Sequence, residues 1–252
     1  MRSPENVLDE IGRLIDEYHV TEIFDDSGTL NTGEWLADLC DGLQQRGYSR
    51  QIRYSCNMRF GALAKKDYVM MRKAGFRLLK FGLESANQAT LDRLQKNTRV
   101  EQVEEGCRWA KEAGLTVHLT IIVGFPWETR EEALRTLALA RELMLTGKAD
   151  LLQATTVVPY PGTPLHAEAL QNNGFLFDPG EYERFDMSEQ VLKARMSPEE
   201  VREICGQIYA IFLSPRYIMH RIKAIRGWGD LWFLLRGAGA VLGHRKDFGR
   251  VK

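Results

Sequence analysis

The chain has 252 residues, 44% of them hydrophobic, with 34 basic residues matched by 34 acidic ones. That balance gives no electrostatic case for nucleic acid or an anionic membrane as a partner, and the apolar content is that of an ordinary globular protein. The four cysteines, at 40, 56, 107 and 205, lie too far apart for a disulfide framework and fit a reducing, cytoplasmic setting. No signal peptide opens the sequence, and the longest apolar run near its C-terminus, Leu231–Leu235, is far short of the ~20 residues of a membrane span.

The first predicted element is a helix, with Ser3 as N-cap, Pro4 at its first position, and Val7, Leu8, Ile11, Leu14 and Ile15 at helical spacing. Then follow a strand at 20–24, a helix at 33–46, a strand at 51–56, a helix at 65–74 and a strand at 78–83. A helix at 100–113 ends on Gly114, and the alternation closes with a strand at 116–123, a helix at 130–145, a strand at 151–158 and a helix at 164–171. Strands separated by helices imply parallel pairing through right-handed crossovers. From about 174 to 196 the pattern gives way to a Gly/Pro/Asp-rich connection, and a helical tail starts at Ser197-Pro198-Glu199-Glu200. The expected fold is α/β, a partial parallel (β/α) barrel over residues 1–174 with five visible strands. A connection and helical extension is expected over 175–252.

The strands carry polar rows. Lys80, Gly82 and Glu84 alternate with Leu79, Phe81 and Leu83; Arg53, Ser55 and Asn57 alternate with Ile52, Tyr54 and Cys56; His118 and Thr120 share a face, as do Gln153 and Thr155. A closed barrel fills its interior with aliphatic layers, and charged side chains there are costly unless paired. A partly open barrel with a wet, ligand-holding lumen fits the rows better. Asp25, Asp26, Asn57, Arg59, Glu84, Ser85 and Glu128 gather at or just beyond strand C-termini, the end at which α/β barrels place active sites.

The stretches "FGLESANQATLDRLQKNT" and "GLTVHLTIIVGFPWETREEA" resemble the radical S-adenosylmethionine (SAM) superfamily, closest to its members with a cobalamin-binding domain. The resemblance runs from Ser3 to about Gly174, and "IYAIFLSPRYIMHRI" is similar to the helical tails of that branch. It implies that Glu84 and Ser85 contact the ribose of SAM. It also implies that Thr120, Ile122, Gly124 and Glu128 form the motif that packs on adenine, with Thr120 in place of that motif's first glycine. Asp25 or Asp26, in "FDDSG", would receive the methionyl amino group in place of the usual Glu; Asn57 and Arg59 would meet the methionyl carboxylate. The activity implied is formation of a 5′-deoxyadenosyl radical for methylation or rearrangement of a small-molecule, lipid or tetrapyrrole-like substrate in the lumen.

The superfamily's Cys-x3-Cys-x2-Cys loop, which holds a [4Fe–4S] cluster, has no counterpart in the sequence; the closest cysteine pair, Cys40 and Cys56, is 16 residues apart. The resemblance therefore implies the C-terminal part of such an enzyme, beginning one strand late and leaving the strand at 20–24 without its outer neighbour. The cluster, and any cobalamin, would come from an upstream segment or subunit. Two other readings stay open: a non-catalytic partner subunit, and a metal-dependent lyase or hydrolase built on Asp25, Asp26, Glu84 and His118. All four cysteines read as core packing, since each lies on an apolar stripe or row. His118 fits a structural and a substrate-contact role equally. His166 is expected in a solvated loop rather than at the lumen's mouth. Trp228, Trp232 and Phe233 are expected to dock on the barrel, with membrane contact through the C-terminal helices as the alternative.

Overall fold

A computed structural model describes residues 2–223. Five strands, β1 (Glu22–Asp25), β2 (Arg53–Met58), β3 (Phe76–Glu84), β4 (Thr116–Val123) and β5 (Leu151–Thr156), form one sheet in the order β1-β2-β3-β4-β5. The pairings of β1 with β2 and of β2 with β3 are parallel, with Phe24 opposite Ser55 and Asn57 opposite Lys80. The intervening helices are α1 (Pro4–Tyr18), α2 (Glu34–Gln45), α3 (Lys65–Lys73), α4 (Gln88–Arg93), α5 (Glu101–Glu112), α6 (Arg130–Leu145) and α7 (Pro164–Gln171); α8 (Pro198–Ala210) and α9 (Pro215–Lys223) follow. Sequential parallel strands joined by helices make this the α/β connectivity of a partial (β/α) barrel, as the sequence implies.

The chain gathers into two compact units. One holds the chain up to Leu83 with Asn97–Leu119 and Lys148–Leu151; the other holds Glu84–Lys96, Thr120–Gly147 and the chain from Leu152 onward. In the first, the Ser3 hydroxyl accepts from the Asn6 amide (3.2 Å) and caps α1, which buries Leu8 and Ile11. A Cβ at Gly42 would stand 2.2 Å from Leu8 Cδ1, so the closeness of α1 and α2 depends on that glycine. In the second unit, Thr129 and Glu132 cap α6 reciprocally, and Ser197 and Glu200 do the same for α8. α8 buries Val201, Ile204, Cys205 and Ile208, and the Tyr209 hydroxyl donates to the Ala154 carbonyl of β5 (3.0 Å).

The structure corrects the expected elements in several places. β1 starts two residues late, at Glu22; β2 runs on to Met58; β3 begins at Phe76; β5 ends at Thr156. The helix α4 is not anticipated, because six residues are too few to display a helical period. The connection after α7 is more than a linker: Phe175 pairs with Leu192 in an antiparallel bridge, and Phe175, Phe185 and Val191 share a core with Phe125 and Val157. His166 is not in a loop. It lies in the first turn of α7, with its ring edge-on to Phe175 at 5.5 Å. Trp228, Trp232 and Phe233 fall outside the described residues.

Candidate nucleoside and methionyl sites

The alternation that suggested a wet lumen is visible in burial. Along β4 and β5, half-buried residues alternate with buried ones; the half-buried members are Thr116, His118, Thr120 and Ile122 on β4 and Leu151, Gln153 and Thr155 on β5. On β2 the alternation breaks: Ser55, on the polar row, is buried along with its neighbours Tyr54 and Cys56.

In the first unit, the loop after β1 is tied to β2. The Asp25 carboxylate accepts from the Tyr54 hydroxyl (2.7 Å) with one oxygen and from the Ser27 amide (3.0 Å) with the other. Asp26 accepts from the Asn57 side-chain amide (2.7 Å), and the Asn57 carbonyl accepts from the Leu30 amide (3.1 Å). Burial, and then the Asp25 charge, push the Tyr54 phenol well above its ordinary range, so it stays a donor. Both oxygens of Asp25 are occupied, whereas among the described residues only one Asp26 oxygen takes a protein donor, from Asn57; Arg59 follows at the end of β2. Next to this loop a cavity of about 500 Å³ is lined by Val7, Ile11 and Leu14 of α1, Ile23 and Phe24 of β1, and Trp35 of α2. Among the described residues β1 pairs on one side only, with β2.

Also in the first unit, His118 on β4 has its imidazole pushed down to about 4, first by burial and then by the nearby Lys80 ammonium. It is neutral at physiological pH. Lys80 is half-buried, opposite Asn57 in register.

In the second unit, β3 ends on Glu84, which is 7% exposed and held in the left-handed region at φ 56°. A non-glycine residue there is worth a functional look. Lys96 Nζ donates to one Glu84 oxygen (2.8 Å); among the described residues the other takes no protein donor. The next residues form a buried knot around Glu128, itself 1% exposed. Its Oε1 accepts from the Ser85 hydroxyl (2.5 Å), the Thr90 hydroxyl (2.7 Å) and the Asn87 amide (3.2 Å). Asn87 also donates to the Glu132 carbonyl (2.9 Å) and accepts from Arg135 Nε (2.8 Å), while Trp127 Nε1 donates to the Thr90 hydroxyl (3.1 Å). The loop after β3, α4 and the loop after β4 are thereby fixed to one another. Gly124, just past β4, has φ 93°, a conformation in which a side chain is strained. Ile122 packs against the cluster containing Phe125 and Val157.

The structure thus brings Ser85 and Glu128 into direct contact with each other, and Asp26 into contact with Asn57. Sequence reasoning missed Asn87, Thr90 and Lys96, although "ESANQAT" carries the first two within the quoted stretch.

A family model described as the radical SAM superfamily matches residues 1–140. The chain belongs to the radical SAM superfamily. It is 29% identical over 238 residues to an uncharacterised methyltransferase of Pyrococcus horikoshii, covering 89% of this chain and 50% of that protein. It is 28% identical over 200 residues to the anaerobic magnesium-protoporphyrin IX monomethyl ester cyclase of Cereibacter sphaeroides, covering 77% and 31% respectively. Among solved structures, the radical SAM methyltransferase TsrM of Kitasatospora setae, with cobalamin and a [4Fe–4S] cluster bound, superposes with a TM-score of 0.58 at 19% identity, over 71% of this chain and 34% of that one. The chain therefore spans half or less of the length of these relatives, and the structural likeness speaks for the fold.

The superfamily implies SAM and a [4Fe–4S] cluster, and the two fit this chain differently. All four cysteines have 0% exposure, and burial drives their thiols up, to about 12 at Cys40, Cys107 and Cys205. Cluster ligation needs grouped, accessible thiolates, so these residues do not suit a cluster. Among the described residues no three His, Cys, Asp or Glu side chains gather into a metal-holding group. Glu84 has one oxygen fixed by Lys96, and among the described residues the other takes no protein donor, an acceptor that suits a hydroxyl-bearing ligand.

Proposed function

We propose that this chain is the SAM-orienting part of a radical SAM enzyme, completed by a segment or subunit that carries the cluster. In this superfamily SAM, bound to a reduced cluster, supplies the 5′-deoxyadenosyl radical that abstracts hydrogen from the substrate; the protein's task is to orient and to exclude water. Glu84 accepts from a ribose hydroxyl with its free oxygen, while Lys96 holds the carboxylate in register. Ser85 and Glu128 act one layer behind, fixing the backbone that presents Glu84. Ile122 and Gly124 line the adenine side, with Thr120 beside them on the half-buried row. Asp26, Asn57 and Arg59 serve the methionyl group, and Asp25 holds their loop through Tyr54.

The observation that carries this reading is Glu84: buried, in a left-handed conformation, with one oxygen pinned by Lys96 and the other free. The reaction on the substrate is a methylation or rearrangement, in keeping with the methyltransferase and cyclase names of the relatives. The cluster-bearing segment docks along β1, beside the cavity lined by α1, and brings any cobalamin with it. Calorimetry with 5′-deoxyadenosine, which needs no cluster, tests the assignment. Wild type binds and Glu84→Ala loses about ten-fold or more in affinity, since a hydrogen bond to a charged group contributes about 1.5–3 kcal/mol. Equal binding by the two proteins refutes the ribose assignment.

A further inference from the structure

Helix α9 has two unlike sides. Tyr217 is buried, edge-on to Phe212 at 5.3 Å, and His220 lies by Gly147, where a Cβ would meet its Nδ1 at 3.3 Å. At about 100° per residue, Ile218, Met219 and Ile222 form one stripe on the side away from Tyr217. They are 43%, 53% and 60% exposed, among the most exposed large apolar side chains described. The exposed Arg216 and Lys223 lie beside the stripe.

Charge is segregated onto the same part of the chain. From Pro215 to Lys252 there are nine Lys and Arg against two Asp, a net of +7, and residues 1–214 carry the compensating −7. No acidic residue occurs between Arg216 and Trp228.

We propose that α9 is a docking surface for an anionic phospholipid bilayer, with Ile218, Met219 and Ile222 entering the headgroup boundary and Arg216 and Lys223 meeting lipid phosphates. An apolar stripe flanked by basic side chains that can extend to the interface is the arrangement of a helix lying in the membrane plane. The stripe offers a protein partner no aromatic anchor of the kind that dominates stable interfaces, whereas a bilayer needs only apolar area and negative charge. Each basic residue near an anionic leaflet adds attraction that fades with salt. No helix among the described residues is long and apolar enough to cross a membrane, so the contact is one of lying on the surface.

The test is co-sedimentation of the full chain with vesicles of phosphatidylcholine alone and of phosphatidylcholine with about 30% phosphatidylglycerol. The chain pellets with the anionic vesicles and is released at about 1 M salt, where the screening length shrinks to about 3 Å. Ile218→Ser/Ile222→Ser weakens partitioning by about ten-fold or more, and Arg216→Glu/Lys223→Glu abolishes the preference for anionic over neutral vesicles. Both pairs are exposed, so the variants keep the wild-type circular dichroism. Failure of the wild type to pellet overturns the proposal, as does equal partitioning by wild type and the isoleucine variant. So does a vesicle-free dimer, seen by light scattering, that the isoleucine variant dissolves, because the stripe would then be an interface between two copies of this chain.

Discussion

Removing the Glu128 carboxylate should destabilise the second unit more than any other single polar change in the loops after β3 and β4. Its Oε1 accepts three hydrogen bonds, from Ser85, Thr90 and Asn87, at a residue 1% exposed. In Glu128→Ala the three donors fare differently. The Asn87 amide keeps its bond to the Glu132 carbonyl (2.9 Å), and the Ser85 hydroxyl can turn to Thr136 Oγ1, 3.5 Å away. The Thr90 hydroxyl has no other acceptor among the described residues, and a cavity opens where the carboxylate stood. One stranded donor, two weakened ones and the lost packing together give about 3–5 kcal/mol, given about 1.5–3 kcal/mol for a bond to a charged acceptor and non-additivity within a network. Glu128→Gln keeps the shape and a neutral oxygen for the same three donors, and costs about 1–2 kcal/mol.

Urea unfolding followed by circular dichroism gives the two values, and hydrogen exchange at residues 85–90 localises them. Two units need not unfold together, so exchange is the decisive readout. The alanine variant should lose protection from 85 to 90 while β2 keeps its own. An alanine variant within about 1 kcal/mol of wild type would refute the structural role of the knot, because surface substitutions typically stay within ±0.5 kcal/mol. Glu128 would then be free to serve a ligand directly, as the family resemblance by itself implies.

The expected and observed elements diverge for physical reasons that can be named. β4 is read correctly to the residue because its alternation is complete: every second side chain from Val117 to Val123 is buried. β1 is misplaced because none of its four residues is buried and its limits are set by pairing, Glu22 opposite Arg53, which no local pattern records. β3 starts early because Gly75 turns at φ 96° and the register shifts opposite Tyr54–Ser55, so Phe76 already pairs. The cysteines were legible as core from their stripes, and all four are buried.

The candidate site divides along the same line. Its residues could be named from the resemblance, but the bonds between them could not. Ser85 and Glu128 are 43 positions apart, and Lys96 reaches Glu84 across 12. Such pairs arise only when the loops after β3 and β4 are stacked over adjacent strand ends, and the connectivity supplies that stacking where periodicity does not. The contact also reorders the site. Ser85 and Glu128, read from the sequence as equal members beside Glu84, are tied to each other through Oε1 of Glu128, so they also hold the loops together, while among the described residues Glu84 and Glu128 each keep one oxygen without a protein donor.

Two further predictions follow from buried titratable groups. In the native chain all four thiols should resist an aromatic disulfide reagent at neutral pH and react fully in urea, since each is buried with its thiol driven upward; rapid reaction of any one of them in the folded chain would contradict that burial. The second concerns His118, whose folded imidazole titrates at about 4 against an ordinary value of 6.5. Below pH 6.5 the unfolded chain takes up a proton that the folded chain refuses. This contribution to stability is therefore complete above about 6.5 and lost progressively as pH falls towards 4. Two causes act in the same direction, burial first and Lys80 second, and substitution separates them. Lys80→Met removes the charge and leaves the burial, so an NMR titration of the His118 ring should move part of the way back towards 6.5 and stop short of it. A ring that titrates normally in wild type would mean that water reaches His118 freely, and the half-buried row would then be open solvent rather than a surface able to exclude water from a bound substrate.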